Sequence, residues 1–212
     1  MSPLLYGSLS GVAVVLAWAA ARRGPEHRPF AGLLTLGLVS DVILWALQRW
    51  VLPPPLLDNP PLTGWIRFAG YIEAALYVAW PIGIAAVALN TMAKRSMRPA
   101  IFAYVIVVAG LIIGYPTIRG DVLRKVLLGI ELASMLVGIA SILAWRRRRE
   151  RSTTATLCTS ILVAGHFGTV LSGPYRFGLF GEAWVLAQVA YLLIYAVVIV
   201  LQAGSLWEHP ST

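Results

Sequence analysis

The sequence predicts an all-α, polytopic membrane protein with seven transmembrane helices and no soluble domain. Three observations carry that prediction. Of the 212 residues, 58% are apolar and only 12% are charged, about half the charged share of a soluble domain. The apolar residues fall into long runs, each sufficient to cross a hydrocarbon core of about 30 Å. The seventeen Lys and Arg residues are divided unevenly between alternate connections, as an excess of positive charge in cytoplasmic loops requires. The same arithmetic excludes a disordered chain and a soluble enzyme core. A disulfide scaffold is excluded too, because the one cysteine, Cys158, cannot form an intrachain bridge.

Hydrophobic windows place the spans at about residues 4–21, 30–51, 64–90, 99–115, 122–145, 155–172 and 182–206. The first has no basic n-region and no A-x-A site, so it is expected to stay as a helix rather than leave as a signal peptide. Between the second and third, Pro53, Pro54, Pro55, Pro60 and Pro61 suit a stiff extracellular connection. The connections after the first, third and fifth spans hold Arg22, Arg23, Arg28, Lys94, Arg95, Arg98, Arg146, Arg147, Arg148, Arg149 and Arg151, eleven of the seventeen basic residues. The amino terminus is therefore expected outside and the carboxyl terminus in the cytoplasm, in the inner membrane of a bacterium. The net charge of +8 reads as topology rather than as a nucleic-acid surface. The run Arg146, Arg147, Arg148, Arg149 reads first as a stop-transfer signal and second as a contact for anionic lipid headgroups, each basic residue adding about 1 kcal/mol there.

A three-plus-one-plus-three repeat is weighed against chance similarity. Leu16-Ala17-Trp18 before Arg22-Arg23 recurs as Leu143-Ala144-Trp145 before Arg146-Arg147. The next span in each half holds one ionisable residue expected to be buried, Asp41 or His166, and is followed by a proline, Pro53 or Pro174. The third opens near Trp65 or Trp184 and carries a tyrosine pair, Tyr71 and Tyr77 or Tyr191 and Tyr195. Duplicated halves are common in membrane folds.

Polar side chains are costly in hydrocarbon, so each one inside a span is a site hypothesis or a helix–helix contact. From the helical rise, Asp41 lies about 15 Å below the outer boundary, Glu73, Glu131 and Tyr191 about 13 Å, and His166 and Gln188 about 9 Å. They fall in one slab. Helical spacing gives the second span a stripe of Asp41, Trp45 and Gln48, and the third a stripe of Gly70, Glu73, Tyr77 and Trp80. The fifth has Glu131, Ser134, Gly138 and Ser141, and the seventh has Trp184, Gln188, Tyr191, Tyr195 and Gln202. These stripes are expected to face inward. Three carboxylates in one low-dielectric layer cannot all ionise cheaply, so at least one is expected to hold its proton unless Arg67 or His166 compensates it. Arg49, Arg67, Arg119 and Arg176 read as interfacial anchors that snorkel to water, with Arg67 also able to reach inward.

Other chemistries lack their residues. Bis-histidine haem ligation needs two intramembrane histidines, and His166 is the one histidine within a span. No H-E-x-x-H, G-x-S-x-G, Walker or G-x-G-x-x-G motif occurs.

Trp65-Ile66-Arg67-Phe68-Ala69, after a proline-bearing outer connection, resembles the W-x-R-Y-A opening of the third helix in microbial rhodopsins. Glu182 at the start of the seventh span is similar as well. The resemblance implies a seven-helix plan with an outside amino terminus. It does not extend to the chromophore: Gly70 stands at the counterion position, and the two lysines, Lys94 and Lys125, lie outside the seventh span. A covalent retinal is excluded, and no cofactor is expected. The sugar-transporter-like PQ-loop family has a similar three-plus-one-plus-three plan, but its Pro-Gln dipeptide is absent.

The preferred expectation is permeation or proton-linked transport of a small solute or ion. Asp41, Glu73, Glu131 and His166 would be its protonatable elements. Trp45, Gln48, Arg67, Tyr77, Gln188, Tyr191 and Tyr195 would line the pocket. An opsin-like receptor or sensor is the alternative, binding a lipid-soluble ligand and signalling through the Arg-rich loops to a cytoplasmic partner; a homo-oligomer of the chain is a further candidate association. An intramembrane lipid-modifying enzyme is the third reading.

Overall fold

In the computed structural model of the protein, which describes residues 3–50, 64–114, 120–148, 153–172 and 183–207, α-helices follow one another along the chain. They are α1 (Pro3–Arg23), α2 (Arg28–Trp50), α3 (Gly64–Thr91), α4 (Arg98–Gly114), α5 (Gly120–Arg147), α6 (Thr154–Ser172) and α7 (Ala183–Trp207). A single 3-10 turn, Pro25–His27, joins α1 to α2. No strand occurs among the described residues. The proline-rich connection 51–63 lies outside them, as do Arg119, Arg149, Arg151, Pro174, Arg176 and Glu182. The side chains of Gln48, Arg67, Arg124, Trp184 and Gln188 lie outside them too.

Among the described residues, length and hydropathy together qualify four stretches to cross a membrane: Pro25–Leu47, Gly64–Thr91, Lys125–Arg147 and Val189–Trp207. At a rise of about 1.5 Å per residue even the shortest approaches the hydrocarbon thickness. Arg98–Gly114 and Thr154–Gly168 are shorter apolar helices.

The helices pack as a ring in which α1, α2, α3, α5, α6 and α7 are successive neighbours and α7 returns to α1. Across the ring α3 also touches α6, while α4 sits outside and packs on α3. One face of α3, Ala74, Val78, Ile82 and Ala86, clusters with Ala100 and Leu111 of α4 and Leu123 of α5. Ile84, Val87 and Ala88 on its other face join the larger core built from the ring helices. Alanine-rich surfaces let helix backbones approach closely where lipid offers no competing hydrophobic drive. Within α3, Pro81 has no N–H to offer the carbonyl of Tyr77, a defect that membrane helices tolerate.

The two ends of the bundle differ. Arg22, Arg23, Lys94, Arg95, Arg98, Arg146, Arg147 and Arg148 are exposed at one end. There Arg23 donates to the carbonyl of Leu206, so that a cation closes the carboxyl end of α7 and ties it to α1. The turn after α3 is equally definite. Lys94 adopts the left-handed region at φ 50°, and Arg95 N–H reaches back to the Leu89 carbonyl at 2.8 Å while Ala93 N–H reaches the Ala88 carbonyl at 3.3 Å, so the last carbonyls of the helix are satisfied by the turn.

Candidate functional site

Two glycines draw α5, α6 and α7 together. A side chain on Gly138 of α5 would meet Val163 of α6, with its Cβ 2.8 Å from Cγ1. A side chain on Gly165 of α6 would run into Ile194 of α7. Each glycine takes the space of a missing side chain and sets one helix against the next. His166 follows Gly165 directly, so the close approach presents its ring to both neighbours.

The ring is used on both nitrogens. His166 Nδ1 is hydrogen-bonded to the Tyr191 hydroxyl of α7, and Nε2 faces Glu131 Oε1 of α5 at 3.3 Å. Glu131 and His166 are both about 7% exposed, and Tyr191 is half-buried. Trp80 of α3 meets the imidazole edge-on, ring centroids 6.4 Å apart at 83°. Its far side rests on α2 at Gly37, where an added Cβ would lie 2.5 Å from Cζ3. Four helices thus meet at one imidazole, with α2 touching the indole behind it, and the Glu131–His166 pair is nearly inaccessible.

Charge conservation limits the protonation states of this chain of groups. An uncompensated buried charge is expensive, so the inexpensive states are neutral overall. Either Glu131 is ionised and His166 is a cation, or Glu131 holds the proton and His166 is neutral. Moving one proton across the 3.3 Å gap interconverts them. In both states joined by that transfer Nδ1 carries hydrogen and donates to the Tyr191 oxygen. Where His166 is neutral with its hydrogen on Nε2, whether Glu131 is ionised or is protonated and accepts through its free oxygen, Tyr191 donates to Nδ1 instead. The direction of the Tyr191–His166 bond therefore reports whether Nδ1 carries hydrogen.

The other polar residues occupy different surroundings. Glu73 is buried on α3, about 10 Å along the helix from Trp80 and away from the arginine-rich end. Asp41 is half-buried one turn beyond Gly37 on α2. Trp45 and Tyr77 are about half exposed, at 50% and 47%, and Tyr195 is buried one turn from Tyr191. On α5, Ser134 and Ser141 are buried, but each hydroxyl donates to its own helix, to the carbonyls of Ile130 and Val137 at 2.8 Å, instead of stitching α5 to a neighbour. Gln48, Arg67 and Gln188 have side chains outside the described residues.

Sequence reasoning placed Trp80 on the polar stripe of α3 without assigning it to the site, and missed Gly37 and Gly165. The available signal was a glycine beside, or seven residues from, an ionisable residue in an apolar helix: Gly165 beside His166, and Gly138 seven residues after Glu131. No three His, Cys, Asp or Glu side chains among the described residues are grouped to hold a metal ion. No known protein family, curated protein or solved structure matches this chain.

Proposed function

We propose that this chain is a seven-span integral membrane protein that couples a proton to the permeation or transport of a small solute or ion. The Glu131–His166 pair is its proton-carrying element. The single observation behind this reading is a carboxyl and an imidazole in contact, both nearly inaccessible, inside an apolar helical bundle. Intramembrane acid–histidine groups of this kind suit proton relay. Asp41 and Glu73 add protonatable groups toward the opposite end from the arginines, with Trp45, Gln48, Arg67, Tyr77, Gln188, Tyr191 and Tyr195 as candidate lining.

The orientation in this reading follows the exposed basic end, which belongs at the cytoplasmic face of a bacterial inner membrane. Arg146, Arg147 and Arg148 there suit anionic lipid headgroups. Impermeant thiol labelling of single cysteines in the turns checks the topology: labels near Lys94 and Arg148 should report the cytoplasmic side.

Proton coupling is tested in proteoliposomes loaded with a pH-sensitive dye under an imposed potential, across a panel of ions and metabolites. Wild-type protein should acidify or alkalinise the lumen, and Glu131→Gln should fall to the protein-free background. Equal background flux from both defeats the reading.

A further inference from the structure

Each helix that contributes to the site also contributes, one or two turns nearer the arginine-rich end, a large apolar side chain with almost no exposure. On α2 it is Leu34, before Gly37; on α3 it is Ile84, after Trp80. On α5 it is Met135, after Glu131; on α6 it is Leu162, before His166; on α7 it is Val198, after Tyr191. All five are 0–1% exposed and belong to one contacting cluster. The titratable groups that face His166 lie on the other side of this layer or at its edge, while the Cys158 thiol of α6 is buried one turn on the arginine side of Leu162. Glu131 faces His166 from α5, Tyr191 faces it from α7, and α3 presents Trp80, with Glu73 and Asp41 farther from the arginines.

Beyond the layer, toward the arginines, stands Gln202 of α7. It is 1% exposed, and neither its amide nitrogen nor its amide oxygen has a hydrogen-bond partner among the described residues. At about 100° per residue its side chain leaves α7 within about 20° of the direction of Tyr191, toward the interior of the ring. A buried amide with both a donor and an acceptor unsatisfied calls for an occupant that can accept and donate. Water is the smallest that does both.

We infer that the layer of Leu34, Ile84, Met135, Leu162 and Val198 is a dry barrier dividing the interior into two compartments. The Glu131–His166 pair is reached from the end opposite the arginines, and Gln202 marks a separate hydrated station reached from the arginine-rich end. This inference rests on the proton-carrying reading of Glu131 and His166 and assigns that pair a side. Hydrophobic constrictions of this kind exclude protons by excluding water. In this conformation the protein is closed toward the arginines, and transport requires the five side chains to part.

The test compares wild-type protein, Leu162→Asn, and Leu162→Asn combined with Glu131→Gln in dye-loaded proteoliposomes. Leu162→Asn should raise proton leak about tenfold by wetting the layer, and adding Glu131→Gln should return it to the protein-free background. A monodisperse Leu162→Asn protein as tight as wild type overturns the barrier. A leak that persists with Glu131→Gln keeps the barrier and removes the proton-carrying role of the pair. A second arm does not depend on how Leu162→Asn folds. In a Cys158→Ala background, Gln202→Cys should react with a small impermeant thiol reagent applied to the arginine-rich side and not to the other. Reaction from the opposite side, or from neither, overturns the proposal.

Discussion

α4 and α5 both pack on α3, both are long runs of apolar residues, and they are used in opposite ways. α4 turns its large side chains outward: Phe102 is 68% exposed and Ile113 80%, and only Ala100 and Leu111 are buried among its residues. α5 turns its polar and small residues inward, burying Glu131, Ser134, Gly138 and Ser141 while Leu136 stays 62% exposed. In water such outward faces would be a severe aggregation liability; in lipid they are the natural surface. Hydrophobicity alone therefore does not separate a helix that builds the interior from one that faces the bilayer. The polar stripe does.

The comparison can be pressed from its strongest consequence to its weakest. Ile106→Asp puts a charge on the outward face of α4 near its middle, where Ile106 is 55% exposed. It should reduce membrane insertion by about 3 kcal/mol in a glycosylation-based insertion assay. A surface that faced water would show almost none of that loss.

The glycines give a matched pair. Gly138→Leu forces a side chain against Val163 and should cost about 1–3 kcal/mol, read as a lowered Tm in detergent. An added Cβ at Gly110 of α4 meets nothing within 4 Å, so Gly110→Ala should leave stability unchanged or raise it by up to about 1 kcal/mol through helix propensity. Equal responses at the two positions would erase the distinction between α4 and α5. The smallest loss of stability belongs to Tyr191→Phe, which removes one interhelical hydrogen bond and should cost about 0.6 kcal/mol. Its clearer signature is the nitrogen NMR spectrum of His166, where Nδ1 should change environment and Nε2 should not.

Much of the helical layout was legible in the residues themselves. Each hydrophobic window is occupied by a helix over the described residues, because twenty or so apolar residues between charged or proline-rich breaks leave the backbone no other way to satisfy its hydrogen bonds in lipid. The stripe of α5, and the part of the α7 stripe from Tyr191 through Tyr195 to Gln202, were legible for a similar reason: period fixes which residues share a face. What period does not fix is the neighbour across the gap. Glu131, Glu73 and Asp41 have equivalent depth estimates, and nothing in their spacing says that Glu131 is the one to meet His166. That choice depends on the backbones converging at Gly138 and Gly165 and on Trp80 finding a flat seat at Gly37. These are properties of pairs of helices, visible only once the order around the ring is known.

The contact between Arg23 and the Leu206 carbonyl bears on how the protein is made. During synthesis the first helix emerges long before the last, and the circle stays open until α7 arrives to lie against α1. Until then His166 has Glu131 within reach but no phenol on its other nitrogen. A ribosome stalled before Tyr191 would leave in the bilayer an open crescent with a half-dressed imidazole, the form that membrane proteases and insertion chaperones would meet first.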